Sequence, residues 1–360
     1  MSLTRERGEQ NITNTDLFEV KPVDRKYYEE RLAGYLPARL IDVHTHVWLK
    51  TFVGGRDETA RTVSWPSLVA EENPIEDLVE TYRLLLPQQT VTPVIFGSPG
   101  RSVDLNASNA YASDSARTHN LPALLVSTPA WSADEVKRRV QEGGFLGLKP
   151  YLSFAPPEIP GGDITVFDFL PHAHLEVADA HGWVVMLHIP RPARLRDPVN
   201  LSHLLEIERR YPRVRLIVAH IGRAYCGEDV GNAFEVLKDT TQMAFDFCAN
   251  TNAWVMEQLL RAVGPQRVLF GSDLPILRMR MRRICEGGNY INLVPPGLYG
   301  DVSGDPHMRE VGADEGAQLS FFLYEELGAF RQAAEAVALT HSEVEDAFYN
   351  NAARLLGLAP

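Results

Sequence analysis

Apolar and polar positions along this chain fall into two alternating patterns. Short β-rich apolar runs occupy residues 40–46, 91–96, 121–126, 145–149, 183–188, 215–220, 243–248 and 267–270. Between them lie stretches that read as helices, over 74–86, 104–119, 132–143, 167–180, 201–211, 229–238 and 253–263. Cap residues mark the joints. Pro74 with Glu76 and Asp77 opens one helix and Ser132 with Asp134 and Glu135 another, while Gly143-Gly144, His181-Gly182 and Gly264-Pro265 close three. This connected alternation predicts a parallel sheet, and eight units favour a closed (β/α)8 TIM barrel over an open doubly wound sheet. No GxGxxG follows the first run, which weakens the dinucleotide-binding alternative.

The remaining segments are less regular. Residues 1–36 read as an N-terminal extension with a short helix over 24–36, and 37–360 as the barrel unit. Residues 276–314, rich in Arg, Gly and Pro, predict a long lid-like loop after strand eight. Extra C-terminal helices are predicted over 317–338 and 342–356.

Composition changes this picture only at its margins. With 360 residues, 45% apolar and 23% charged, the chain has enough material for one large domain with an ordinary core. A net charge of −12 argues against a non-specific nucleic-acid binder. Cys226, Cys248 and Cys285 show no paired spacing, so no disulfide is expected and a reducing cytoplasm is the expected location. There is no charged start followed by an apolar h-region, and no apolar run long enough to span a bilayer. Neither export nor membrane insertion is expected.

The strand ends carry the chemistry. The first run, Leu40-Ile41-Asp42-Val43-His44-Thr45-His46, ends in two histidines. Alternation places His44 and His46 on one face, with Asp42 one layer below. Lys149 ends the fourth run, His188 the fifth and His220 the sixth, and Asp273 follows the eighth. In a parallel barrel these ends share one rim, the face where barrel active sites lie. Imidazole and carboxylate groups converging there make a metal site. Lys149 and Tyr151 share a strand face, so both are expected to point into it. The histidines on predicted helices and loops are read as ordinary structural residues.

These motifs resemble the amidohydrolase superfamily, and more closely its amidohydrolase-related (amidohydrolase 2) branch of metal-dependent hydrolases, lactonases and decarboxylases. The resemblance rests on Ile41-Asp42-Val43-His44-Thr45-His46, Gly147-Leu148-Lys149, Leu187-His188, Ala219-His220-Ile221-Gly222 and Phe270-Gly271-Ser272-Asp273. A terminal stretch, Phe348-Tyr349-Asn350-Asn351-Ala352-Ala353-Arg354-Leu355-Leu356-Gly357-Leu358, adds to it. It implies that His44, His46, His188 and Asp273 bind a divalent metal. The ligand types suit Zn²⁺, with Mn²⁺ the alternative kept. Asp273 would also accept a proton from the attacking water, and His220 would polarise the scissile carbonyl or act as a second metal ligand. Asp42 and Asp246 are expected to hydrogen-bond the far nitrogen of a ligand imidazole. Family lysines at the position of Lys149 are carbamylated between two metals in some members and free in others; a single metal with a free Lys149 is the reading taken.

Arginines cluster after the strand ends, including Arg56, Arg61, Arg101, Arg191, Arg194, Arg196, Arg223, Arg278, Arg280, Arg282 and Arg283. Guanidinium forks recognise carboxylates, so a small anionic substrate is expected, held by Lys149, Arg191, Arg223, Arg278, Tyr151 and Trp48. Three functions remain in competition: hydrolysis of an amide, ester or lactone, non-oxidative decarboxylation of a small acid, and a non-catalytic binding barrel. Arg223 stands where decarboxylase relatives often carry an acid, which favours hydrolysis. A small-molecule partner is expected, with no nucleic acid and no membrane, and a homo-oligomer is left open.

Overall fold

The computed structural model describes residues 17–54 and 65–358. Eight strands form its centre: β1 (Arg39–His46), β2 (Thr90–Phe96), β3 (Leu125–Ser127), β4 (Gly147–Pro150), β5 (Val184–Leu187), β6 (Arg215–Val218), β7 (Ala244–Asp246) and β8 (Val268–Leu269). Strands β3 to β8 pair in chain order, and β1 pairs with β2, all in parallel. Two seams complete the ring. Ile95 bridges to Ala123 ahead of β3. Beyond β8, the Val43 N–H donates to the Phe270 carbonyl at 3.0 Å, Asp273 N–H to His44 at 2.8 Å and His46 N–H to Leu274 at 2.9 Å. The fold is the predicted (β/α)8 barrel. Its third strand is shorter than the apolar run suggested, starting only at Leu125.

Helices return the chain between strands, and local chemistry sets their ends. The Asp104 carboxylate accepts the N–H groups of Asn106 and Ala107, and the Ser132 hydroxyl accepts that of Glu135. Gly144 and Gly182 close their helices in the left-handed region. The side chains divide between two cores. One fills the barrel, with Ile41, Val43, Val94, Phe96, Met186 and Ile217, and the helix Asn351–Leu356 adds Ala352, Ala353 and Leu356 to it. The other lies between strands and helices, and includes Leu40, Ile95, Leu148 and Val218.

These two cores reveal a departure from alternation in β1. Asp42 pairs with Pro93, but Thr45 pairs with Ile95, so β1 carries one extra residue, a bulge. Ile41 and Val43 face the inner core before it, and His46 pairs with inward-facing Phe96 after it. Asp42 therefore lies on the helix side and accepts the Tyr82 hydroxyl at 2.7 Å from the helix Ile75–Leu85. It is not in a layer beneath the histidines, as uninterrupted alternation required. The bulge is what lets His44 join His46 on the inside.

Residues 276–314, expected as an irregular lid-like loop, contain a three-stranded sheet ordered β11 (Met308–Glu310), β10 (Asn289–Val294), β9 (Arg282–Glu286). The expectation of no disulfide is also overturned. Cys285 in β9 is bonded to Cys226, which follows β6, across a sequence separation of 59. Spacing along the chain carries no trace of this pair, because the barrel and the small sheet bring it together. No helix of the described residues is long and apolar enough to cross a membrane.

A second tie reaches the end of β7 from the helix Phe322–Ala336. Glu326 accepts the N–H of Ala249, and Arg283 donates to the Ala249 carbonyl, holding that residue at φ 53°. The other Glu326 oxygen is buried without a hydrogen-bond partner. Burial raises this carboxyl well above the usual carboxylate range.

Two measurements check these features. Thiol titration of denatured protein should find one reactive cysteine, Cys248, without reductant and three with it. By the loop-closure argument, reduction should cost about 4 kcal/mol of stability. Glu326 has a raised folded pKa, so its contribution is present below the unfolded pKa and is lost as pH rises. Glu326→Gln should therefore match the parent Tm near pH ~4 and exceed it increasingly at higher pH. A constant difference across pH would contradict a neutral Glu326.

Candidate metal centre

Four imidazoles meet at the C-terminal ends of β1, β5 and β6. Each arrives by a different local device. His188 follows the inward residues Val184 and Met186 by simple alternation. His44 is turned inward by the β1 bulge. His220 follows inward-facing Ala219, so alternation would send it outward. Instead, residues 220–223 all occupy the left-handed region, with φ between 50° and 59°, and this turn brings the ring back inside. For Ile221, a β-branched residue, that conformation costs roughly 1–2 kcal/mol. A Cβ at Gly222 would stand 2.6 Å from the end of the Leu195 side chain, which would have to move. Gly271 is similar: its Cβ would lie 2.9 Å from the His44 Cβ.

Asp246 organises the centre. Its Oδ2 lies 3.0 Å from His44 Nδ1, and its Oδ1 accepts the backbone N–H of His220 at 2.6 Å. His220 Nδ1 lies 3.0 Å from the Cys248 carbonyl, and His46 Nδ1 lies 3.3 Å from that of Gly97. Carboxylate and carbonyl oxygens only accept, so these partners assign the proton to Nδ1 in all three rings. The three Nε2 atoms then carry lone pairs and point into one buried space. His46 Nε2 is 3.3 Å from Asp273 Oδ1, His44 Nε2 is 3.7 Å from the same oxygen, and His220 Nε2 is 3.1 Å from His188 Nε2.

The electrostatics agree with this assignment. Burial, and next the Lys149 charge, push the His44 imidazolium down to about 3. Burial also lowers His188 and His220. The His44, His188 and His220 rings are therefore neutral at pH 7, the form that binds metals. Burial alone would raise Asp246, but the His44 ring N–H and the His220 backbone N–H that it accepts outweigh it and hold its carboxyl below the usual range. Converging acceptors with ionised carboxylates and few protons to share fit a divalent cation. Three trios have ligand atoms close enough together: His44, His46 and Asp273; His44, His188 and His220; and His44, Asp246 and Cys248. His44 belongs to all three.

Lys149 lies at the same point. Its Nζ is 3.2 Å from His44 Nε2 and 4.9 Å from the centre of the Phe96 ring. Burial, opposed by Asp246, Cys248 and Asp273, lowers its pKa to about 8. Tyr151 packs its ring 4.8 Å from that of His188. Asp42 meets no ligand imidazole. Its Oδ1 accepts the backbone N–H groups of His44 at 3.1 Å and Ser272 at 2.9 Å, so it holds the strand ends together. Burial pushes its carboxyl up to about 7.

A cleft of about 560 Å³ opens above the imidazole and carboxylate cluster, with His46 and Asp273 in its wall. Trp48, Tyr151, Pro66, Ala70 and Ile276 give it an apolar lining, and Lys50 is its lining cation, 3.7 Å from Glu71. The arginines expected around it are engaged elsewhere. Arg191 pairs with Asp197 at 3.1 Å, and Arg278 bonds Asn73 and the Asp77 carbonyl. Arg223 donates to the carbonyls of Ile189 and Pro190. Arg194 pairs with Asp229, and Arg280 with Asp24. Arg56 and Arg61 lie outside the described residues. Sequence reading placed Lys50 on this rim, where it lines the cleft, but missed Phe96 and Cys248. Phe96 ends β2, so the strand-end rule that found His188 would have found it.

Comparison with solved structures places this barrel among known ones. An amidohydrolase 2 from Bifidobacterium longum subsp. infantis matches with a TM-score of 0.54 at 16% identity, over 90% of this chain and 100% of that one. A probable 2-pyrone-4,6-dicarboxylic acid hydrolase from Acinetobacter baumannii, with citric acid bound, matches at 0.54 and 16%, over 89% and 99%. A dihydroxybenzoic acid decarboxylase from Polaromonas sp. JS666, with manganese and 2-nitroresorcinol bound, matches at 0.52 and 14%, over 89% and 97%. At these identities the likeness is one of fold. No curated protein matches the chain by sequence. The amidohydrolase family model matches residues 41–358, a span that takes in every residue of the imidazole and carboxylate cluster, and the chain belongs to that family.

Proposed function

We propose that this chain is a metal-dependent hydrolase that opens an ester, lactone or amide bond of a small, largely apolar substrate. The observation that carries this reading is the convergence of the Asp273 carboxylate and the Nε2 atoms of His44 and His46 at the floor of the cleft, acceptors that a cation would hold together. His44, His46, His188 and Asp273 would hold the ion, with His220 near enough to share it. Nitrogen-rich ligation suits Zn²⁺, with Mn²⁺ as the alternative. When bound, such a cation supplies charge that polarises a carbonyl oxygen and acidifies water.

The chain's own groups do the rest. Asp273 accepts the proton of the attacking water and returns it to the leaving group. Lys149, with a pKa near 8, sets a positive charge beside the developing oxyanion. Trp48, Tyr151 and Ile276 flank the apolar part of the substrate, and Lys50 meets a carboxylate at its rim. Because the neighbouring arginines serve protein carbonyls and carboxylates, one anionic group on the substrate is favoured over two.

Metal analysis is the first check: purified protein should hold a divalent ion, and His44→Ala, which breaks every trio, should lose it. On an ester or lactone that the parent opens, Asp273→Asn should lower kcat by about 100-fold or more. Carbon dioxide release from hydroxybenzoates with no ester, lactone or amide cleavage would replace hydrolysis by decarboxylation. A metal-free parent that no added divalent ion activates would sink both.

A further inference from the structure

A second polar cleft lies at the opposite end of the barrel, where β6, β7 and β8 begin and the helix Asn351–Leu356 closes the bottom. It has a volume of about 480 Å³. Arg213, Arg215, Arg267 and Arg354 line it, and no aspartate or glutamate does. In a chain of net charge −12 this is a local reversal of sign.

Two of the arginines are compensated. Arg213 pairs with Asp179 at 3.1 Å and Arg354 with Asp346 at 3.6 Å. Arg215 and Arg267, both half-buried, have no carboxylate within ion-pair distance among the described residues. Arg215 donates through Nε to the Gly182 carbonyl and through Nη1 to that of Leu355, each at 2.6 Å. Arg267 donates through Nε to the Val263 carbonyl at 3.0 Å and through Nη1 to the Thr240 hydroxyl at 2.8 Å. The Nη2 group of each makes no hydrogen bond among the described residues. Glu208 interacts favourably with Arg267, but its oxygens accept the backbone N–H groups of Thr241, Gln242 and Met243. Burial lowers the pKa of both Arg215 and Arg267, the mark of cations partly stripped of water.

A half-buried guanidinium held in place by carbonyls, with an N–H face left over, is a preorganised anion receptor. We propose that this cleft binds a small multivalent oxyanion, a phosphate monoester or a dicarboxylate, at a site separate from the metal centre. The anion would bridge the entries of β6 and β8 to the terminal helix, and so stabilise the barrel by mass action. Neutral donors are at hand in the lining residues Gln242 and Gln266.

The test is calorimetric titration of the full-length, metal-loaded protein with inorganic phosphate, glycerol phosphate and succinate, with Tm followed in parallel. One saturable site is expected for at least one probe, with a rise in Tm. Tighter binding of the phosphates identifies a phosphoryl ligand, and tighter succinate a dicarboxylate. Gln266→Glu is the decisive variant, because it sets a carboxylate beside the arginines and leaves their own hydrogen bonds intact. It should weaken binding by about tenfold or more, with the ligand-free Tm kept. Binding unchanged in Gln266→Glu would place the anion elsewhere and overturn the proposal, as would no saturable binding of any probe.

Discussion

Asp246 joins two strands that are far apart in the chain, and the candidate metal centre depends on that junction. One oxygen fixes the His44 ring through Nδ1, and the other fixes the His220 backbone at the start of its left-handed turn. A single carboxylate thus decides a tautomer on β1 and a main-chain conformation after β6. It is fully buried and remains ionised because both partners donate to it. Removing it would leave His44 free to rotate and the turn of residues 220–223 without its first hydrogen bond.

Around this junction the protein tolerates local cost in order to aim side chains. The β1 bulge interrupts pairing between Asp42 and Thr45, and Asp42 restores order by accepting N–H groups from His44 and Ser272. His220, Ala249 and Asp273 all have positive φ. Each sits where a strand gives way to a loop on the catalytic rim, and each is held by a bond to a residue distant in sequence. Ala249 is held by Glu326 and Arg283, and the Asp273 N–H donates to His44. Strain of this kind persists only where the surroundings over-determine it.

The distribution of positive charge gives the barrel two unlike ends. At the catalytic rim, Arg191, Arg194, Arg278 and Arg280 act as internal struts bound to protein acceptors, and the cleft they surround is mainly apolar. At the opposite end, Arg215 and Arg267 keep part of their donor capacity. A count of arginines after strand ends could not separate these cases, because each guanidinium's role depends on which acceptors folding brings near it.

The alternation of apolar periods pointed to the barrel by itself, since each β/α unit is a local pattern and eight of them favour closure over an open sheet. Strand-end chemistry likewise made Lys149 and His188 legible, because simple alternation past the last inward residue points them inside, while Asp273 was read from its place after strand eight and is set by its own positive φ. His44 and His220 were found for an incomplete reason. Both lie inside through backbone departures, a bulge and a left-handed turn, that no residue pattern announces. The Cys226–Cys285 bond, the sheet within residues 276–314 and the engagement of the arginines were decided by tertiary structure alone. The disulfide spans 59 residues, and Arg194, Arg278 and Arg280 meet acceptors 35, 205 and 256 residues away, pairings that exist only once the chain has folded.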